Sequence, residues 1–144
     1  MPKNKQKILF LFLIAFSAYC AILIGQGWDE AHLVEQGKIT LNYLFSLGNI
    51  DVDIFRREYY SPIYYTLKFL LVQIFPIKYQ VELSHLVNLF FSLSAIVGIK
   101  QLSKELFNRE VGKYVFLILF FYPIFFGHMA FNSKDTIIAF CHIW

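Results

Sequence analysis

Only 16% of the 144 residues are charged, against 58% hydrophobic and 19% aromatic, whereas a soluble domain carries roughly 25% charged residues. The balance points to a bilayer, and the small net charge of +3 matters less than where its lysines and arginines fall. No basic run, zinc-ligand spacing or glycine-rich phosphate loop occurs, which argues against a nucleic-acid partner and against nucleotide folds. Cys20 and Cys141 both sit in apolar stretches and read as small buried thiols rather than a disulfide.

Lys3, Lys5 and Lys7 precede a charge-free stretch that begins at Ile8. It lacks Ala-x-Ala cleavage chemistry and is long for a signal peptide, so it predicts an uncleaved first span over 8–26 with a cytoplasmic N-terminus. Residues 27–83 form the most polar part, with a Gly-Asn turn in "LGNID" at 47–51. Two further spans are predicted over 84–102 and 113–131, separated by the charged connector "KQLSKELFNREVGK". An apolar segment over 136–144 starts another span and stops short of the roughly 20 residues a crossing helix needs. The expected fold is all-α, one membrane domain over 1–144, and the N-terminal piece of a longer polytopic protein.

The block 62–75, "PIYYTLKFLLVQIF", decides the topology. If it crosses, Lys100, Lys104, Arg109 and Lys113 fall outside the cytoplasm, against the positive-inside rule. If it lies along the surface, that connector is cytoplasmic. Fourteen residues reach only about 21 Å of a core roughly 30 Å thick, so length and charge both favour a surface-lying juxtamembrane helix, although tilt and local thinning can rescue a short span. The segment 27–83 is then an extracytoplasmic loop, and Asp29–Glu30 shares the outer face with Asn132–Lys134–Asp135.

Three groups of residues carry candidate chemistry. In "GWDEAHLV", Asp29 and Glu30 suit either a general base or the dipole-favoured start of a helix, and Trp28 suits an interfacial anchor. In "FGHMAFNSKD", His128, Asn132, Lys134 and Asp135 bring an imidazole, an amide, an ammonium and a carboxylate to one span end. Lys134 suits a phosphate and Asp135 a hydroxyl or a metal, while His128 equally suits packing. In "FRREYYSPIYYTL", Arg56 and Arg57 suit a phosphate or lipid headgroups, and the tyrosines at 59, 60, 64 and 65 suit an interfacial belt. His85, Asn88 and Ser92 recur at helical spacing and predict hydrogen bonds to neighbouring spans.

This order of features resembles the start of the GT-C superfamily of membrane glycosyltransferases, closest to the protein O-mannosyltransferase and aminoarabinose transferase group. A first span leads into a short Asp-Glu loop, then "SPIYY", a basic "KELFNREVGK" connector, and "FFYPIFFGHMAFNSKD" with a second acidic turn. The resemblance covers the whole chain, but only about the first quarter of a family member. It implies a polyprenyl-phosphate-sugar donor, an extracytoplasmic site, inverting transfer, and Asp29 as base with Glu30 beside it and Asp135 as the second-loop acid. It also implies that Lys134, Arg56, Arg57 or a divalent cation held by Asp29, Glu30 and Asp135 neutralises the leaving phosphate. The chain departs from the "KPPLYYW"-like block of aminoarabinose relatives, having "YYSPIYYTL" instead, which leaves sugar and acceptor open. A transporter fragment and a non-catalytic membrane subunit are the rival readings, and these 144 residues alone are expected to be inactive.

Overall fold

The structure, a computed structural model, describes residues 3–28, 30–49 and 62–144. Among them every element is helical: α1 Lys3–Leu23, α2 Glu30–Phe45, α3 Pro62–Gln73, a 3-10 turn Ile77–Tyr79, α4 Gln80–Leu106, α5 Arg109–Phe121, α6 Pro123–His128 and α7 Asp135–Ile143. Among the described residues, two stretches are long and apolar enough to cross a membrane, Asn4–Leu23 and Ile77–Leu106. The first keeps large apolar side chains on its outside, including Ile8, Leu11, Phe12 and Tyr19. Such a surface suits lipid far better than water.

α4 is the central post. It packs against α1, α3, α5 and α7. α1 and α4 run antiparallel: the Ala21 carbonyl lies at His85 near one end, and Phe10 lies under Lys100 near the other. The larger apolar core sits between them and includes Leu13, Leu89, Ile96, Phe116 and Phe120. A second, smaller core joins Leu33 of α2, Tyr64 and Tyr65 of α3 and Ile137 of α7.

Local chemistry sets the element ends. Asn108 caps α5, its side-chain oxygen accepting from the N–H groups of Glu110 and Val111, each at 3.0 Å. α4 therefore ends and α5 begins almost at once, and the charged connector becomes a tight helical hairpin rather than a loop. Gly112 permits its closest approach, since a Cβ there would meet the Lys100 carbonyl oxygen at 2.8 Å. α2 closes with the 6→1 and 5→2 bonds of a Schellman turn, Gly48 N–H to Tyr43 O at 3.1 Å and Leu47 N–H to Leu44 O at 3.2 Å. Both Leu47 and Gly48 have positive φ there.

The segment 113–131, predicted as one uninterrupted span, is two helices. Pro123 pushes Tyr122 to an extended backbone with ψ 113°, which ends α5, and the proline then opens α6 at its first turn. The predicted 84–102 helix is longer, beginning at Gln80 and running to Leu106. The predicted 62–75 block is helical over Pro62–Gln73 and pairs with α2 as a helical hairpin. Gly37 lets these two come together, because a Cβ at that position would collide with the Tyr65 carbonyl.

Candidate functional site

The chain is short of polar residues, yet α4 buries Ser84, His85, Asn88 and Ser92. His85, Asn88 and Ser92 are each fully enclosed, three and four residues apart on one stripe. Each finds helix-end carbonyls, the groups an α-helix leaves without an internal partner. His85 Nδ1 is 3.0 Å from the oxygen of Ala21, in the last turn of α1. Asn88 Nδ2 and Ser92 Oγ donate to the Met129 carbonyl, just past α6, at 3.0 and 2.8 Å. The expected hydrogen bonds from this stripe to neighbouring helices are present. Side chains from α4 thus do at these helix ends what water does for a soluble protein.

Glu30 closes the same arrangement from the other side. It is only 4% exposed, and its Oε2 accepts from the Gly27 N–H at 2.6 Å and meets His85 Nε2 at 2.9 Å. The reach back to Gly27 copies the acidic half of a capping box and, with the Glu30 N–H to Gly27 O bond at 3.2 Å, fixes the 27–30 turn. The Ala21 oxygen can only accept, so His85 Nδ1 donates to it and Nε2 faces the Glu30 carboxyl. Burial alone would raise the Glu30 pKa. The hydrogen bonds from His85 and Gly27, with the nearby charges of His85 and Lys68, outweigh it and hold the carboxyl below its ordinary value. The other oxygen, Oε1, is buried with no hydrogen-bond partner among the described residues.

Lys68 of α3, 2% exposed, supplies that charge. Tyr64 and Tyr65 depart from the expected interfacial belt: both are buried. Tyr64 donates its hydroxyl to Asn88 Oδ1 at 2.9 Å, and burial pushes that phenol upward, so it stays a donor. The spacing of Tyr64, Tyr65, Lys68 and Val72 marks one helical face, and this was the available signal. Trp28 is fully exposed.

The second group, 128–135, also assembles. Asn132 Nδ2 is 3.1 Å from His128 Nδ1 and donates to Asp135 Oδ2 at 2.9 Å. Its Oδ1 accepts from the N–H groups of Lys134 and Asp135 at 3.3 and 3.1 Å, so the amide is spent on starting α7. Thr136 of α7 reaches Asn88 Oδ1 at 3.3 Å. Glu30 and the 129–136 segment therefore hang on neighbouring positions of α4, one through His85 and one through Asn88. Ser133 Oγ is buried here without a hydrogen-bond partner among the described residues.

Asp29, Arg56 and Arg57 lie outside the described residues. Glu30 is committed to His85 and Gly27, which makes it an anchor of its turn rather than a group open to an acceptor. Among the described residues no three His, Cys, Asp or Glu side chains gather as a metal site. Comparison with family models, with curated proteins and with solved structures finds no match to this chain.

Proposed function

We propose that the chain belongs to a polytopic membrane glycosyltransferase of GT-C type, which moves a sugar from a polyprenyl-phosphate donor to an acceptor hydroxyl at the extracytoplasmic face. Its 27–83 segment forms the outer loop, with α3 lying along the membrane. Asp29 takes the acceptor's proton as the acceptor oxygen attacks the anomeric carbon. The bond from that carbon to the phosphate oxygen breaks with inversion, and polyprenyl phosphate leaves as an anion. Lys134, Arg56 or Arg57 meets the charge that develops on it, and Asp135 contacts a sugar hydroxyl. Base help of this kind contributes on the order of 10²–10⁴-fold.

The observation that carries the reading is the anchoring of Glu30. A carboxylate tied to its own turn and to a buried histidine gives the start of α2, just beyond an apolar span, a fixed position. A catalytic base needs that fixity. The second acidic turn hangs on the same face of α4, one helical step away. In a full-length protein assayed with a polyprenyl-phosphate sugar, Asp29→Asn lowers transfer by about 10²-fold or more while donor binding persists. Unchanged turnover removes the base assignment.

One observation favours a transporter instead: Glu30, His85 and Lys68 form a buried ionisable cluster beside a candidate span, as proton-relay groups do. Substrate-driven proton movement in vesicles, lost in His85→Gln and retained in Asp29→Asn, would mark that activity.

A further inference from the structure

The opposite end of the α1–α4 pair holds a cavity of about 490 Å³, and its lining is unlike anything at the Glu30 end. Lys7, Lys100, Arg109 and Lys113 ring it, and among the described residues no acid lines it. Phe10 and Phe116 form part of its apolar wall. Lys100 Nζ lies 5.8 Å from the centre of the Phe10 ring and 5.5 Å from that of Phe116, so two aromatic faces hold the ammonium toward the cavity. Lys113 is braced by Glu110 at 2.5 Å. Lys104 and Glu105 pair with each other at 2.9 Å outside the lining. Fifteen residues of α4 separate His85 from Lys100, about 22 Å of helix, most of the thickness of a hydrocarbon core.

A space of this size with an apolar wall and a cationic rim, at the level of a leaflet boundary, matches one ligand chemistry: a phosphate carried on acyl chains. We infer that the cavity binds the headgroup of an anionic phospholipid of the cytoplasmic leaflet, its phosphate between Lys100 and Arg109 and its first methylenes against Phe10 and Phe116. With Glu110 on Lys113 and near Arg109, four cations face a single acid; the excess positive charge favours an anion in the cavity, and the aromatic contacts keep Lys100 from turning away. Basic pockets between membrane helices on the cytoplasmic side attract such headgroups by about 1 kcal/mol per lysine or arginine. The inference needs α1 and α4 to cross the bilayer, but not the sugar-transfer reading.

Native mass spectrometry of the full chain in detergent, titrated with phosphatidylglycerol and separately with phosphatidylcholine, tests it. Phosphatidylglycerol is retained in preference, and Arg109→Gln, at an exposed position where folding is not at stake, weakens retention roughly fivefold. Lys100→Met, which keeps the stem, combined with Arg109→Gln weakens it roughly thirtyfold, and Lys104→Met, an equal charge change outside the lining, leaves it within twofold. Equal retention of the two lipids, an equal loss in Lys104→Met, or full displacement by millimolar inorganic phosphate would overturn the lipid site.

Discussion

His85 Nε2 lies 2.9 Å from Glu30 Oε2, and the same ring reaches the Ala21 carbonyl at 3.0 Å, so one side chain of α4 ties the end of α1 to the start of α2. Around it, Asn88 and Ser92 do the same for the end of α6. The polar stripe is the organising feature of the molecule.

His85→Ala leaves a buried carboxylate with only the Gly27 N–H and the nearby Lys68 charge, and strips the Ala21 oxygen of its donor. Breaking a buried pair from one side costs about 3–5 kcal/mol. Glu30→Gln keeps an acceptor for Gly27 but gives up the charge, and the double variant loses less than the two single losses together, by about 1–3 kcal/mol. Chemical unfolding in detergent measures the cycle, and strict additivity would show that the two residues are not coupled.

Acid should expose the same pair. The Glu30 carboxyl is held below its ordinary value of 4.5, so its contribution to stability is complete above that pH and fades as pH falls through the lower folded-state value. Melting temperatures of the wild type and Glu30→Gln are therefore expected to converge on acidification below about pH 4.5. A gap that stays constant to low pH would contradict the depressed carboxyl.

Asn88 joins α3, α4, α7 and the end of α6, while Tyr64 uses only one of its contacts. Tyr64→Phe should cost about 1 kcal/mol, and Asn88→Ala about 2–3 kcal/mol because the Tyr64 hydroxyl loses its acceptor and the Met129 carbonyl loses one of its donors together. Thermal unfolding of both variants in the same detergent checks the order. Equal effects would mean that the asparagine is no hub.

The α2–α3 contact gives a steric prediction. Gly37→Ala drives a methyl into the Tyr65 backbone, which cannot rotate away, and should destabilise by about 1–3 kcal/mol. Gly127→Ala meets nothing within 4 Å on α6 and should be neutral or stabilising by up to about 1 kcal/mol. Limited proteolysis of the two variants gives the comparison, with faster cleavage confined to Gly37→Ala.

The helical class was legible because apolar runs of this length have few other uses, and the polar stripe was legible because His85, Asn88 and Ser92 keep helical spacing in an otherwise greasy segment. The break at Pro123 was written in the sequence too, but a hydropathy window averages across a proline. Tyr64 and Tyr65 misled because composition cannot tell a headgroup-facing tyrosine from one turned inward. Nor could spacing reveal that Glu30, rather than waiting for a substrate, is held by His85, a partner 55 residues away that no local pattern encodes.

Sidedness is the claim on which the rest depends, and single-cysteine labelling reads it directly. In right-side-out vesicles, with Cys20 and Cys141 replaced by serine, an impermeant maleimide should label Trp28→Cys and Asp135→Cys at once, both being exposed positions. Arg109→Cys, at the basic end, should label only after the membrane is opened. Labelling of Trp28→Cys and Asp135→Cys from opposite sides would contradict the account.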